Sequence, residues 1–334
     1  MRKLVIKILV IFLPLTLFFV LLYLMPYFLP LDYSASSYLA ADIDKQQLLE
    51  NTPSPKIVFV GGSNLAFGLN SKKIEESLNR PVINMGLHAS LGFGFMLNEI
   101  KPFVNQGDII ILVPEYVHFY DGYYRQGDGN IIAGLLYVNP RAGQYLPPAI
   151  KYRAVLENLS ILARFRMGDL LDYLLKDPER IRTHHGETVY YRRAFNENGD
   201  LVNYSKQGPL QAAESTAASY PEKIDPKILD FLNDFTAFAA GKNARLFFSF
   251  PPLVENFYRV NKKQLSVLSQ DLSENTKIEF LDSPLDCVFP DTLFLDSIHH
   301  LNKQGREIRT DKMIVGLKKA VAGRSNAALS GIKK

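Results

Sequence analysis

The chain alternates between short apolar runs and longer amphipathic stretches. Lys56–Val60 is a compact β-branched run, followed by a helical pattern over Ser71–Leu78. Val82–Asn84 reads as a second strand, with a helical stretch near Gly92–Val104 behind it. Asp108–Val113 is apolar at nearly every position, as a strand must be when helices cover both of its faces. The rhythm resumes with a helix at Pro226–Ala240, a strand at Ala244–Phe250, a helix near Lys262–Ser273, a strand at Lys277–Leu281 and a closing helix at Arg306–Ala322. Strands alternating with helices in this way predict an α/β doubly wound sandwich on a five-stranded, mainly parallel sheet.

Two regions break the rhythm. Residues 114–223 are rich in tyrosine and read as an inserted α+β cap region, with a helix around Tyr152–Leu175. The same region predicts a hairpin, Thr188–Phe195 and Leu201–Tyr204, turning at Asn196-Glu197-Asn198-Gly199-Asp200. At the N-terminus, Ile8–Leu31 carries no charged side chain and exceeds the roughly 20 residues that a membrane-crossing helix needs. Arg2, Lys3 and Lys7 precede it, which by the positive-inside rule leaves the N-terminus in the cytoplasm and the main domain outside. A cleaved signal peptide is the alternative, left open by the small residues at 34–41. The expected organisation is thus an anchor at 1–31, a polar linker at 32–55, the α/β domain at 56–322 with its insertion at 114–223, and a basic flexible tail at 323–334.

Composition narrows the functional classes. Of the 334 residues 47% are hydrophobic, enough for a large core. The net charge is +4, and three of those charges lie ahead of the apolar run, so a nucleic-acid partner has no electrostatic support. Cys287 is the single cysteine, which excludes an internal disulfide and a cysteine-rich metal site. No metal and no cofactor are expected.

Candidate chemistry sits at two distant places. Val58-Phe59-Val60-Gly61-Gly62-Ser63-Asn64 breaks a buried strand into two glycines and a serine, the place where open parallel sheets gather functional groups. Asp296-Ser297-Ile298-His299-His300-Leu301-Asn302 puts a carboxylate and two histidines just ahead of the closing helix. A serine hydroxyl needs a base to become nucleophilic, and a histidine in that role needs a partner that fixes its tautomer. Ser63 as nucleophile, a histidine as base and Asp296 as orienter therefore form a candidate triad. Both His299 and His300 are open as the base. Read alone, the same residues also suit a glycine–serine turn and a surface histidine pair.

Gly61-Gly62-Ser63-Asn64, Asn84-Met85-Gly86 and Asp296 through Gly305, in that order, resemble three blocks of the SGNH (GDSL-like) hydrolase superfamily. The resemblance covers about residues 56–113 and 244–320. It implies an oxyanion site from the backbone N–H groups of Ser63 and Gly86. The Asp-x-x-x-His-Leu-Asn form resembles the membrane-anchored, envelope-associated branch and favours His300. Asn64, Asn84, His88 and Glu115 become candidates for substrate binding. The chain departs from the family in having Gly62 where an aspartate is usual, and Val113-Pro114-Glu115-Tyr116 where an oxyanion asparagine is usual. The resemblance implies a serine acyltransferase or esterase acting on O-acyl groups of a cell-envelope or exported polysaccharide. A multi-spanning membrane O-acyltransferase is the implied partner, and the cytoplasmic membrane of a bacterial-type cell the location. The departures keep a second expectation open, a non-catalytic accessory subunit with the same fold.

Overall fold

A computed structural model describes residues 2–24, 37–175, 190–203 and 220–330. The chain opens with α1 (Arg2–Leu24) and α2 (Ala41–Asn51). The first half of the α/β domain runs β1 (Ile57–Gly61), α3 (Ser63–Gly68), α4 (Ser71–Leu78), β2 (Val82–Asn84), α5 (Phe93–Ile100) and β3 (Ile109–Val113). Between the halves lie α6 (Tyr123–Gln126), α7 (Gly129–Val138), α8 (Pro148–Glu157) and α9 (Leu159–Leu175). The second half runs α10 (Lys227–Gly241), β4 (Arg245–Phe248), β5 (Leu253–Val254), α11 (Glu255–Asn275), β6 (Glu279–Phe280), β7 (Val288–Phe289) and α12 (Lys303–Ser330).

Five strands form one sheet in the order β2-β1-β3-β4-β6, every pair parallel. β5 and β7 form a separate parallel pair. β1 and β3 are buried at every position because both of their faces are covered. Ile57, Phe59, Ile109 and Ile111 face Leu65, Ile74, Met313 and Leu317 of α3, α4 and α12. Val58, Val60, Ile110 and Leu112 face the larger core that includes Leu49, Phe93, Leu97, Phe235 and Leu268. Adjacent residues of one strand thus feed opposite layers, which gives the doubly wound sandwich. The strand order reverses direction between β1 and β3, the point at whose carboxyl ends open α/β sheets gather functional groups.

Four expectations change. The segment read as a linker contains α2, and Asp42, Lys45, Gln46 and Leu49 are buried in it. Lys45 donates to the carbonyls of Asn84 and Gly199, so α2 ties the end of β2 to the insertion. The helix read over Tyr152–Leu175 is two helices, α8 and α9, parted at Asn158, whose side chain turns back to the Ala154 carbonyl. The closing helix continues to Ser330, past the start of the expected flexible tail.

The expected hairpin is reduced to its turn. Phe195 and Leu201 make a single antiparallel bridge, and Gly199 takes the left-handed conformation between them (φ 85°). Of the expected strands, Thr188, Val189 and Tyr204 lie outside the described residues, as do His184 and His185. The turn is built into the domain. Asn198 O accepts the Asn84 N–H, and Asp200 accepts from Ser71 N, Ser71 Oγ and Asn84 Nδ2 at 2.6–2.8 Å.

Among the described residues no helix is long and apolar enough to cross a membrane. Residues 25–31 of the expected span lie outside them. Within α1, Val10, Phe12, Leu13, Leu17 and Leu21 are exposed, and α1 packs against α9.

Candidate active site

Ser63 is the first residue of α3, directly after the Gly61–Gly62 turn that ends β1. Its backbone N–H has no acceptor one turn back, as at any helix start. Asp296 and His300 come from the loop ahead of α12. That loop is closed by an antiparallel bridge between Phe294 and Leu301 and by hydrogen bonds from Leu295 N to His300 O and from His300 N to Ser297 O. The closure folds Asp296 and His300 toward each other. Asn302 then caps α12, its Oδ1 accepting from Gly305 N at 3.0 Å.

The structure brings Ser63, His300 and Asp296 into one chain of hydrogen bonds. His300 Nδ1 lies 2.8 Å from Asp296 Oδ1, and His300 Nε2 lies 2.8 Å from Ser63 Oγ. A carboxylate only accepts, so Nδ1–H donates to Asp296, and Nε2 is left to accept the Ser63 O–H. The Phe67 ring stacks on the imidazole, with centroids 4.1 Å apart and planes within 8°. Burial pushes the Asp296 carboxyl up, but hydrogen bonds from His300 and Tyr190 outweigh it and hold the group below its ordinary value.

His299 points elsewhere. Its Nδ1 lies 2.8 Å from the Pro252 carbonyl, and its ring sits near Tyr116. Burial pushes its pKa down, so it is a neutral donor that ties the loop to the segment after β4.

The other expected site residues are mostly structural. Asn64 is buried, with Nδ2 on the Val113 carbonyl and Oδ1 facing Arg309. Asn84 is buried, donating to Leu65 O and Asp200 Oδ1. Its Oδ1 accepts the Gly86 N–H at 2.9 Å, so this expected oxyanion donor is already engaged. Gly86 is needed for a different reason: a β-carbon there would come within 2.7 Å of Ala66 N and 2.8 Å of Gly62 O, against the start of α3. Glu115 is 3% exposed and reaches under Ser63 to accept the Asn64 N–H at 3.1 Å. A carboxylate at the start of α3 is favoured by the helix dipole. Asn64, Asn84 and Glu115 are thus all buried, each with its side chain turned to protein groups.

His88 is half-buried, and its Nδ1 accepts from Ser90 N. Burial lowers its pKa, against the opposing pull of the Glu115 charge. His118 is fully buried, its Nε2 at 2.8 Å from Ala89 O. Tyr116, Tyr120 and Tyr124 pack in the core. A hollow of about 390 Å³ is lined by Asp44, Lys45, Phe195 and Glu197, among others, but by none of the three triad residues.

Sequence reasoning missed Arg309, Tyr190 and Phe67. Arg309 is buried and donates to the Asn64 carbonyl at 2.9 Å, holding α3 from below. Tyr190 donates to Asp296 Oδ2 at 2.5 Å. None has a local pattern, since each acts on a residue distant in the chain. No family model matches the chain, and no curated protein matches it.

Proposed function

We propose that this protein is a membrane-anchored, extracytoplasmic serine acyltransferase or esterase acting on O-acyl groups of a cell-envelope or exported polysaccharide. The observation that carries the reading is the unbroken hydrogen-bond chain from Ser63 through His300 to Asp296. Its support on the sequence side is the resemblance of the three ordered blocks to SGNH hydrolases, including the envelope-associated branch.

In the proposed reaction Ser63 Oγ attacks an acyl ester carbon while its proton passes to His300 Nε2. Asp296 orients the imidazole and stabilises the imidazolium. The Ser63 N–H faces the developing oxyanion. The carbon–oxygen bond to the leaving alcohol breaks, and that oxygen takes the proton from His300. A sugar hydroxyl or water then attacks the acyl-enzyme, gives its proton to His300, and Ser63 leaves reprotonated. No single helix carries an acyl group across a bilayer, so a multi-spanning O-acyltransferase is the proposed donor partner. The exposed apolar side chains of α1 support the anchor.

A second reading, a non-catalytic subunit of the same kind of assembly, is favoured by one observation. Asn84 holds the Gly86 N–H, and a buried glutamate stands at the block where an oxyanion asparagine is usual. Loss of one such donor costs about 10²–10³ in rate.

Fluorophosphonate labelling of the full chain separates the two. Acyl transfer requires labelling of the wild type that disappears in Ser63→Ala and falls about 10³-fold or more in His300→Ala. A wild type that stays unlabelled, alone and with the co-expressed partner, favours the accessory subunit.

A further inference from the structure

The hydrogen-bond chain just described uses only one oxygen of Asp296. The second, Oδ2, accepts from the hydroxyl of Tyr190 at 2.5 Å, and the same hydroxyl lies 3.3 Å from His300 Nδ1. His300 Nδ1–H is already committed to Oδ1 at 2.8 Å, so the phenol proton goes to the carboxylate. Tyr190 is 38% exposed, and the rest of its ring is packed against aromatic neighbours. Its ring meets Tyr38 edge-on at 5.5 Å and lies 5.8 Å from Phe67, the ring that stacks on His300. Tyr38 in turn is tied by its hydroxyl to the Leu87 carbonyl at 2.6 Å.

We propose that Tyr190 is a positioning residue for the triad: its hydroxyl holds Asp296 in the rotamer that aims Oδ1 at His300 Nδ1 and thereby aims Nε2 at Ser63. This inference rests on the acyl-transfer reading of Ser63. The physical need is visible in the site. The Asp296 side chain is 29% exposed, so water competes for it, and two single bonds let the carboxylate swing. One hydrogen bond leaves rotation about the second of those bonds free to exchange the oxygens. Two donors from different directions remove that freedom, and charge-assisted bonds of this length are the strong kind. Because Tyr190 belongs to the inserted region, the insertion completes the site as well as flanking it.

The test is the second-order rate of fluorophosphonate labelling of the full chain against pH, for wild type, Tyr190→Phe and Tyr191→Phe. Phenylalanine keeps the ring and removes only the hydroxyl. Tyr191 is the control, since its hydroxyl accepts from Asn203 and not from the triad. Tyr190→Phe is expected to label about 10- to 100-fold more slowly at neutral pH, with melting temperature unchanged. Its low-pH limb is expected to move to higher pH, because Asp296 loses one of the bonds that hold its carboxyl down. Tyr191→Phe is expected to match the wild type. Equal rate and equal pH profile in Tyr190→Phe would overturn the proposal while leaving the triad standing. If the wild type labels neither alone nor with the co-expressed partner, the acyl-transfer reading fails and nitrogen-15 histidine NMR decides the positioning role. A His300 Nδ1–H resonance displaced in Tyr190→Phe and not in Tyr191→Phe upholds it; an unmoved resonance overturns it.

Discussion

A β-carbon on Gly62 would fall inside contact distance of both carboxylate oxygens of Glu115, so the two residues share one space. The residue before the nucleophile candidate is glycine because an acid from the end of β3 fills the place where its side chain would go. Gly62 and Glu115 therefore fit one another, a carboxylate from the neighbouring strand taking the space at the turn. Gly62→Ala is expected to destabilise the chain by about 1–3 kcal/mol through overpacking. Adding Glu115→Ala should relieve part of that cost. A double-mutant cycle by chemical denaturation checks it, and simple additivity of the two changes would refute the shared-space account.

Glu115 also leaves one oxygen without a partner. Its Oε2 lies 3.9 Å from His118 Nδ1, and both atoms are buried with no hydrogen bond. Burial lowers the His118 pKa, and Nε2–H is spent on the Ala89 carbonyl, so two acceptors face each other. Glu115→Gln keeps the shape and an acceptor for Asn64 N–H while turning the other atom into a donor. A gain of about 1 kcal/mol in thermal stability is expected. An unchanged or lower melting temperature would count against it.

His299 and His300 differ in what they face, so their substitutions should separate. His299→Gln loses the bond to the Pro252 carbonyl and is expected to cost about 1 kcal/mol of stability while labelling continues at close to the wild-type rate. A collapse of labelling in a folded His299→Gln protein would move the base to His299.

Lys45 gives the chain a pH signature. Burial pushes its pKa down from 10.5 to about 7, although Asp200, Asp42, Glu99 and Asp44 pull the other way. Between those values the unfolded chain holds a proton that the folded chain has released. The lysine therefore makes stability rise with pH across that window, by at most about 1.4 kcal/mol per unit. Lys45→Met removes the contribution. The stability of wild type relative to the variant should climb from pH 7 to pH 9 in denaturant titrations, and a flat difference would show that the lysine stays charged.

Much of the fold was determined by local pattern. A continuous apolar run such as Ile109–Val113 has only one stable place, the middle of a sheet covered on both faces, and β1 and β3 at the centre of the sheet follow from such runs. Ser63 at the strand-to-helix turn was legible for the same reason, since a run ending in two glycines marks where the backbone leaves the sheet. The sequence also brought Asp296 and His300 close, because they are four residues apart. What it left open were relations between distant segments. His299 and His300 are chemically equal until the Phe294–Leu301 bridge fixes which ring faces Ser63. Asn64, Asn84 and Glu115 are polar residues near the site by sequence, yet packing turns each inward to satisfy buried backbone groups. Tyr190, Arg309 and Lys45 carry no periodicity that announces them. Their partners lie 39 or more positions away, at Asp296, Asn64 and Asn84, and only closure of the tertiary structure sets which donor meets which acceptor.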